Sequence, residues 1–193
     1  MKLYLLSATL LATALPAMAE QQTFATDPGH TEVRFGWDHA GVSFQHGEFD
    51  RVEGTLTIDT GNVEIAMLDV SIDAASVSTG FGPLDEHVRS SDFLHVDENP
   101  TVRFVSTSVR QTGDTTAEIV GDLTIRGTTL PVTLQAELIH HGAHPVAEFI
   151  DYYEGEWLGF RATGEFDADA FGVGEVISVG MLNIDINTEL KAQ

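Results

Sequence analysis

MLDVSIDA, residues 67–74, alternates without a break: Leu68, Val70, Ile72 and Ala74 take every second position, and Asp69, Ser71 and Asp73 take the rest. Successive side chains of a strand point to opposite faces, so this pattern describes a half-buried antiparallel strand with one face in a core and one in water. The same period spreads outward in both directions. TEVRFGWD (31–38) sets Val33, Phe35 and Trp37 on one face, and GTLTID (54–59) does so with Leu56 and Ile58. TVRFVSTSVR (101–110), AEIVGDLTI (117–125), LPVTLQAELI (130–139), EWLGFRATGEFDAD (156–169) and VISVGMLNIDINTEL (176–190) complete the set. Arg126-Gly127-Thr128-Thr129 reads as a hairpin turn between two of them. About eight strands without an internal repeat or linker predict an all-β domain, a closed barrel or a sandwich. Gly36, Gly47, Gly54, Gly121, Gly159 and Gly164 fall within or beside strand patterns. Glycines there mark the bends that a small barrel needs to close.

One stretch breaks the pattern. In GPLDEHVRSSDF (82–93), Leu84, His87, Val88 and Ser91 recur at helical spacing, and Asp85 and Arg89 sit four apart where they can pair. Pro100 ends the excursion. The reading is a short helix lying across a β framework. Within HVRSSDFLHVDENP (87–100), Val88, Phe93, Leu94 and Val96 are expected to face the core, and His87, His95, Asp97 and Glu98 to face water. Arg89, paired with Asp85 or Asp92, would hold this segment in place as a plug or lid.

The chain opens MKLYLLSATLLATALPAMAE, with Lys2, an apolar run from Leu3 to Leu15, and Ala17-Met18-Ala19 as a small-x-small cleavage site. Residues 1–19 are therefore expected to be a secretory signal peptide, with the mature domain at 20–193. There are no cysteines, so an oxidising compartment would add no disulfides. The net charge is −21, or −22 once Lys2 leaves with the leader, and Lys191 is then the only lysine. So acidic a chain is repelled by nucleic acid and by anionic membrane surfaces, and salt is expected to relieve its self-repulsion.

Catalytic and metal signals are thin. There is no GxSxG and no HExxH, and paired carboxylates such as Asp167 and Asp169 arise readily among 30 acids. His140, His141 and His144 could meet on one ion, but they lie beyond a strand end beside Gly142 and Pro145, and a solvated loop is the expectation. His30 and His39 read as barrel-rim histidines bonded to backbone groups. No catalytic residue, metal site or cofactor is assigned. A histidine-based or metal-dependent enzyme at the rim is the alternative reading.

Six segments taken together resemble the YceI family of periplasmic polyisoprenoid-binding, lipocalin-like proteins. They are DPGHTEVRF (27–35), DHAGVSFQHGEFDRVEGTL (38–56), VSIDAASVSTG (70–80), DEHVRSSDFLHVDENPTVRFVST (85–107), GDLTIRGTTLPVTLQAEL (121–138) and GFRATGEFDADAFGVG (159–174), in family order over nearly the whole mature chain. The resemblance implies an extended eight-stranded antiparallel barrel, periplasmic, whose lumen binds a long isoprenoid chain such as a quinone, a polyprenyl phosphate or a similar amphiphilic lipid. Where the family often has an arginine before its Phe-Gly pair, this chain has Asp167-Ala168-Asp169-Ala170 before Phe171-Gly172. That change favours a quinone or neutral lipid over a pyrophosphate. Combining the resemblance with alternation, the lumen is expected to be lined by Phe35, Trp37, Phe44, Phe49, Val70, Ile72, Val88, Phe93, Leu94, Phe104 and Phe160. His30, His39, Arg89 and Arg161 are the candidate headgroup residues at the rim. A transient contact with a membrane or a membrane redox protein, and a homodimer, stay open.

Overall fold

Each alternating segment pairs with its neighbour in the computed structural model, which describes residues 21–174 and 176–193. The leader expected at 1–19 and the start at Glu20 lie outside the described residues. The strands are β1 (Gln22–His39), β2 (Ser43–Phe49), β3 (Val52–Ile58), β4 (Met67–Asp73), β5 (Val77–Ser78), β6 (Thr101–Gln111), β7 (Thr116–Ile125), β8 (Thr128–Ala143), β9 (Glu156–Asp167) and β10 (Met181–Ala192). They make an eight-staved up-and-down barrel, every pair antiparallel. Two staves are interrupted. The first half of β1 pairs with β3 and the second half with β2, so β2 and β3 are one stave bent at Asp50-Arg51. β4 and β5 form another, broken at Ala74–Ser76, with β5 pairing β2. β10 pairs with β1 from Phe24↔Ala192 to Trp37↔Leu182 and closes the ring, which removes the sheet edges.

The turn at Arg126-Gly127 is tighter than its four-residue sequence signal. Ile125 pairs with Thr128, and both turn residues have positive φ (50° and 74°). Two left-handed residues in a two-residue loop match the twist of the flanking strands. Gly36 and Gly47 sit on neighbouring strands and serve opposite faces. The Phe35 ring covers Gly47 inside the barrel, and the Phe44 ring covers Gly36 outside; a Cβ on either glycine would meet the ring at 2.5 Å.

Two expected boundaries move. The segment from residue 176 joins the sheet only at Met181, because the Asp169 carboxylate accepts the backbone N–H groups of Val179 (2.9 Å) and Gly180 (3.1 Å) and keeps them in a loop. The helix α1 (Gly82–Arg89) is shorter than its pattern. Ser90 leaves the helix with ψ 171°, and its carbonyl accepts from Phe93 and His95 in the turn that follows.

The interior is mainly apolar, with the Thr31 and Thr188 hydroxyls hydrogen-bonded to each other (2.8 Å) between two apolar clusters. An upper cluster includes Val52, Ile72, Val102, Phe104, Leu123 and Leu134, and a lower one includes Phe24, Leu56, Ile58, Leu158 and Leu190. Leu68 packs against both. The 79–100 segment with α1, and residues 168–174 and 176–180, cover the upper end. The 144–155 segment lies at the lower end.

Candidate functional site

The inward residues of all eight staves enclose a cavity of about 750 Å³. A 12-residue strand is about 40 Å long at ~3.3 Å per residue, and a barrel tilt of about 35–45° leaves about 30 Å along the axis. The cavity follows that axis, so it is suited to something long and thin.

Ten of the eleven residues expected to line the lumen do so: Phe35, Trp37, Phe49, Val70, Ile72, Val88, Phe93, Leu94, Phe104 and Phe160. Phe44 is a correction. β2 points Gln45, Gly47 and Phe49 inward opposite Trp37, Phe35 and Val33, so Phe44 faces outward, about half exposed, against His46 and Gly36. Several lumenal residues were not singled out beforehand, among them Leu123, Leu134, Phe166, Leu182, Ile184 and Ile186. Alternation marks all of them. A reading weighted towards aromatic rings passes over the aliphatic ones; it does not account for Phe166, which the alternation from Phe160 also sets inward.

Of the four rim candidates only His39 lines the cavity, at its upper mouth. Arg161 lies between the inward Phe160 and Ala162, so it projects outside and donates to Asn187 (3.3 Å). Arg89 turns from the mouth to the chain beneath it, donating to the carbonyls of Ala75 (2.9 Å) and Val77 (2.6 Å). His30 sits on the outer face near the lower end, with Nδ1 3.1 Å from the Asp27 carboxylate rather than on a backbone group. That hydrogen bond holds its pKa above the usual histidine value. His30 and His39 are nine residues apart on one strand, about 30 Å at ~3.3 Å each, and share no site. The His140, His141 and His144 run does not converge either. His140 packs on Gly159 outside, His141 lies 2.8 Å from Glu156, and His144 lies 3.3 Å from Glu189.

The plug has a different fastening from the expected one. Asp85 and Arg89 both anchor it, but neither is the other's hydrogen-bond partner. The Asp85 carboxylate accepts the hydroxyl and backbone N–H of Thr79, both at 2.6 Å, which hold its pKa below the usual carboxylate range. Arg126 donates to the carbonyls of Ser91 and Phe93, and Gly174 N–H to that of Asp92. His87, expected to face water alone, borders the mouth with its ring edge-on to Phe93 (4.7 Å, 83°). Asp38, Gln45 and Ser178 add polar groups there. The Ser178 hydroxyl donates to Asp169, and with the Gly180 and Val179 N–H groups it keeps that carboxyl below its usual pKa. No arginine or lysine lines the cavity among the described residues.

An apolar barrel of this shape has known counterparts. Residues 24–192 match the family described as the YceI-like domain. A UPF0312 protein of Pseudomonas putida strain F1 is 36% identical over 182 residues, which cover 94% of this chain and 91% of that one. The chain belongs to the YceI-like family. A second relative, a UPF0312 protein of Ectopseudomonas mendocina strain ymp, is 38% identical over 160 residues, 81% of this YceI-like chain and 78% of its own. Among solved structures, BcnA of Burkholderia cenocepacia superposes with a TM-score of 0.73 at 19% identity, covering 85% of this chain and 98% of that one. A polyisoprenoid-binding domain from Saccharophagus degradans superposes with a TM-score of 0.65 at 12% identity, covering 90% and 100%. These similarities confirm the barrel.

Proposed function

We propose that this YceI-like protein is a non-enzymatic carrier or store that holds a long-chain isoprenoid, or a similar amphiphilic lipid, in its lumen outside the cytoplasm. The observation that carries the reading is the 750 Å³ lumen, walled mainly by apolar side chains with Thr26, Thr31 and Thr188 among them, and with acids, amides and imidazoles toward its ends. A prenyl chain in water costs about 0.8 kcal/mol for each exposed CH₂-sized group, and transfer into such a lumen removes that cost. The Saccharophagus domain, described as polyisoprenoid-binding, is the reason isoprenoids lead the ligand class. Among the described residues the lining supplies acids, amides and imidazoles but no arginine or lysine, so a neutral headgroup of the quinone type, held near His39, Gln45 and His87, fits better than a phosphate. The leader-like residues 1–19 support export to the periplasm.

The test is extraction of protein purified from its native host, followed by mass spectrometry, together with titration by a prenylquinone. Trp37 lines the lumen and Trp157 does not. Quinone uptake should therefore quench emission in the parent and quench much less in Trp37→Phe. Repeated extraction without an apolar ligand, and no quenching by added prenylquinone, would overturn the reading.

A further inference from the structure

Outside the lumen, near the lower end, one feature of β1 has no part in lipid binding. Thr26 pairs with Leu190 and Thr31 with Thr188, so the four residues Asp27-Pro28-Gly29-His30 bulge opposite a single residue, Glu189. A bulge of this kind re-aims side chains. Here it gathers one ligand atom each from Asp27, His30 and Glu189 within 4.8 Å of one another.

The parts of this cluster are built rather than loosely exposed. Asp27 is 4% exposed, and one of its oxygens accepts the Gly29 N–H (2.8 Å), which leaves the other facing His30 Nδ1 at 3.1 Å. Ligand atoms around a tetrahedral zinc ion, bonded at about 2.0–2.2 Å, lie about 3.3–3.6 Å apart, so this hydrogen-bonded pair at 3.1 Å would have to open by only a few tenths of an ångström. Glu189 is oriented from outside. The Val146 N–H donates to His144 Nδ1 (3.3 Å), which places the imidazole proton on Nε2, directed at Glu189 Oε2 (3.3 Å). A histidine that orients a ligating carboxylate through its N–H is a recurring support of metal sites.

The sheet register also brings His140 close to Glu189. Gly159 pairs with Glu189 on one side and with His140 on the other, and it has no side chain to separate them. His140 Nε2 is shielded from solvent and has no hydrogen-bond partner among the described residues. Its ring lies 6.5 Å from that of His144. His140 is therefore a neighbour of the cluster and not one of its ligands; the two carboxylates and one imidazole of Asp27, Glu189 and His30 are the donor set, and it suits a divalent ion of the zinc class.

We propose that Asp27, His30 and Glu189 ligate a divalent transition-metal ion on the outer wall of the barrel, with His144 as a positioning residue on Glu189. The sequence favours no metal because spacing along one loop is all it can test. This set comes from a bulge in the first strand and from the last strand. The ion would join the strands that close the barrel, β1 and β10, at the point where their ladder is interrupted.

The test uses the mature protein stripped with EDTA and titrated with Zn²⁺ by calorimetry and with Co²⁺ by visible absorption. The expected result is one equivalent bound, cobalt bands of a low-symmetry N/O site, and a zinc-dependent rise in Tm. His30→Gln and Glu189→Gln should each weaken binding at least tenfold while the far-ultraviolet spectrum stays that of the barrel. His144→Gln should weaken it less and shift the cobalt bands, as a positioning role requires. Absence of stoichiometric binding overturns the assignment. So does binding retained in the His30→Gln, Glu189→Gln double variant, or binding lost in His141→Gln, which would move the ion to the 140–144 loop.

Discussion

At the lower end of the barrel Phe24, Leu158 and Leu190 are 0–2% exposed, and Trp157 is 1% exposed beneath Tyr152 and Tyr153, with its indole N–H donated to the Tyr153 carbonyl (2.9 Å). At the upper end α1 has no buried residue, and polar fastenings hold the segment around it: Arg89 on Ala75 and Val77, Asp85 on Thr79, Arg126 on Ser91 and Phe93. Buried apolar contacts open only with the fold as a whole. Hydrogen bonds of about 0.5–1.5 kcal/mol each, exposed or only part-buried, can open locally. The contrast predicts that the upper end opens before the lower one.

The largest expected effect removes what both ends share. Phe104→Asp would set an unpaired charge in the lumen wall, where the native ring is 7% exposed over Gly121. A loss of more than about 4 kcal/mol in urea unfolding is expected, with no lipid uptake. A variant as stable as the parent that still binds would mean the lumen is not apolar at that depth.

Next comes the lower end alone. Phe24→Ala should cost about 3–5 kcal/mol, read as a lower urea midpoint with an unchanged slope, while the rate of ligand dissociation at a temperature where the variant is folded stays near the parental value. If dissociation accelerates instead, the lower end also passes ligand and the contrast fails.

Arg89→Ala should reverse that pattern. Its cost in global stability is about 1 kcal/mol, but ligand should leave several-fold faster. Hydrogen exchange should accelerate across residues 82–96 and stay slow across 156–160. Uniform acceleration in both regions would show that the plug does not open separately.

The smallest effect is that of acid. Asp85 and Asp169 fasten the upper end, and hydrogen bonds from Thr79 and Ser178 respectively hold their pKa values below the ordinary carboxylate value. A depressed folded value means that the stability is present above the unfolded pKa, near 4, and is lost as pH falls through the lower folded values. Ligand release should therefore change little from pH 7 to 5 and accelerate below about pH 4. Onset already at pH 6 would mean that Asp85 and Asp169 do not control the opening of the upper end.

How much of this was legible in the residues differs from place to place. Val70, Ile72, Phe104 and Phe160 could be set inward from the chain alone, because a strand buried on one face repeats every two residues and each lies in an unbroken run. The same rule, applied strictly, excludes Phe44 and Arg161: Phe44 is an odd number of positions from the inward Phe49, and Arg161 adjoins the inward Phe160. The strand at Ser43–Phe49 was hidden because glycine, histidine and glutamine dilute its pattern. Local sequence also permitted the Asp85–Arg89 pair, but Thr79 and the carbonyls of Ala75 and Val77 lie nearer once the 74–79 stretch folds under the helix, and they take both side chains. His140, His141 and His144 are neighbours in sequence, but alternation turns His141 to the inner face while His140 and His144 stay outside with rings 6.5 Å apart, so the three do not meet on one ion. Asp27, His30 and Glu189 lie at opposite ends of the chain and meet only because β10 returns to pair with β1. Periodicity, a local property of the backbone, determined the strands and their buried face. Partners across the closed ring depend on register between distant segments, and only the tertiary structure decided them.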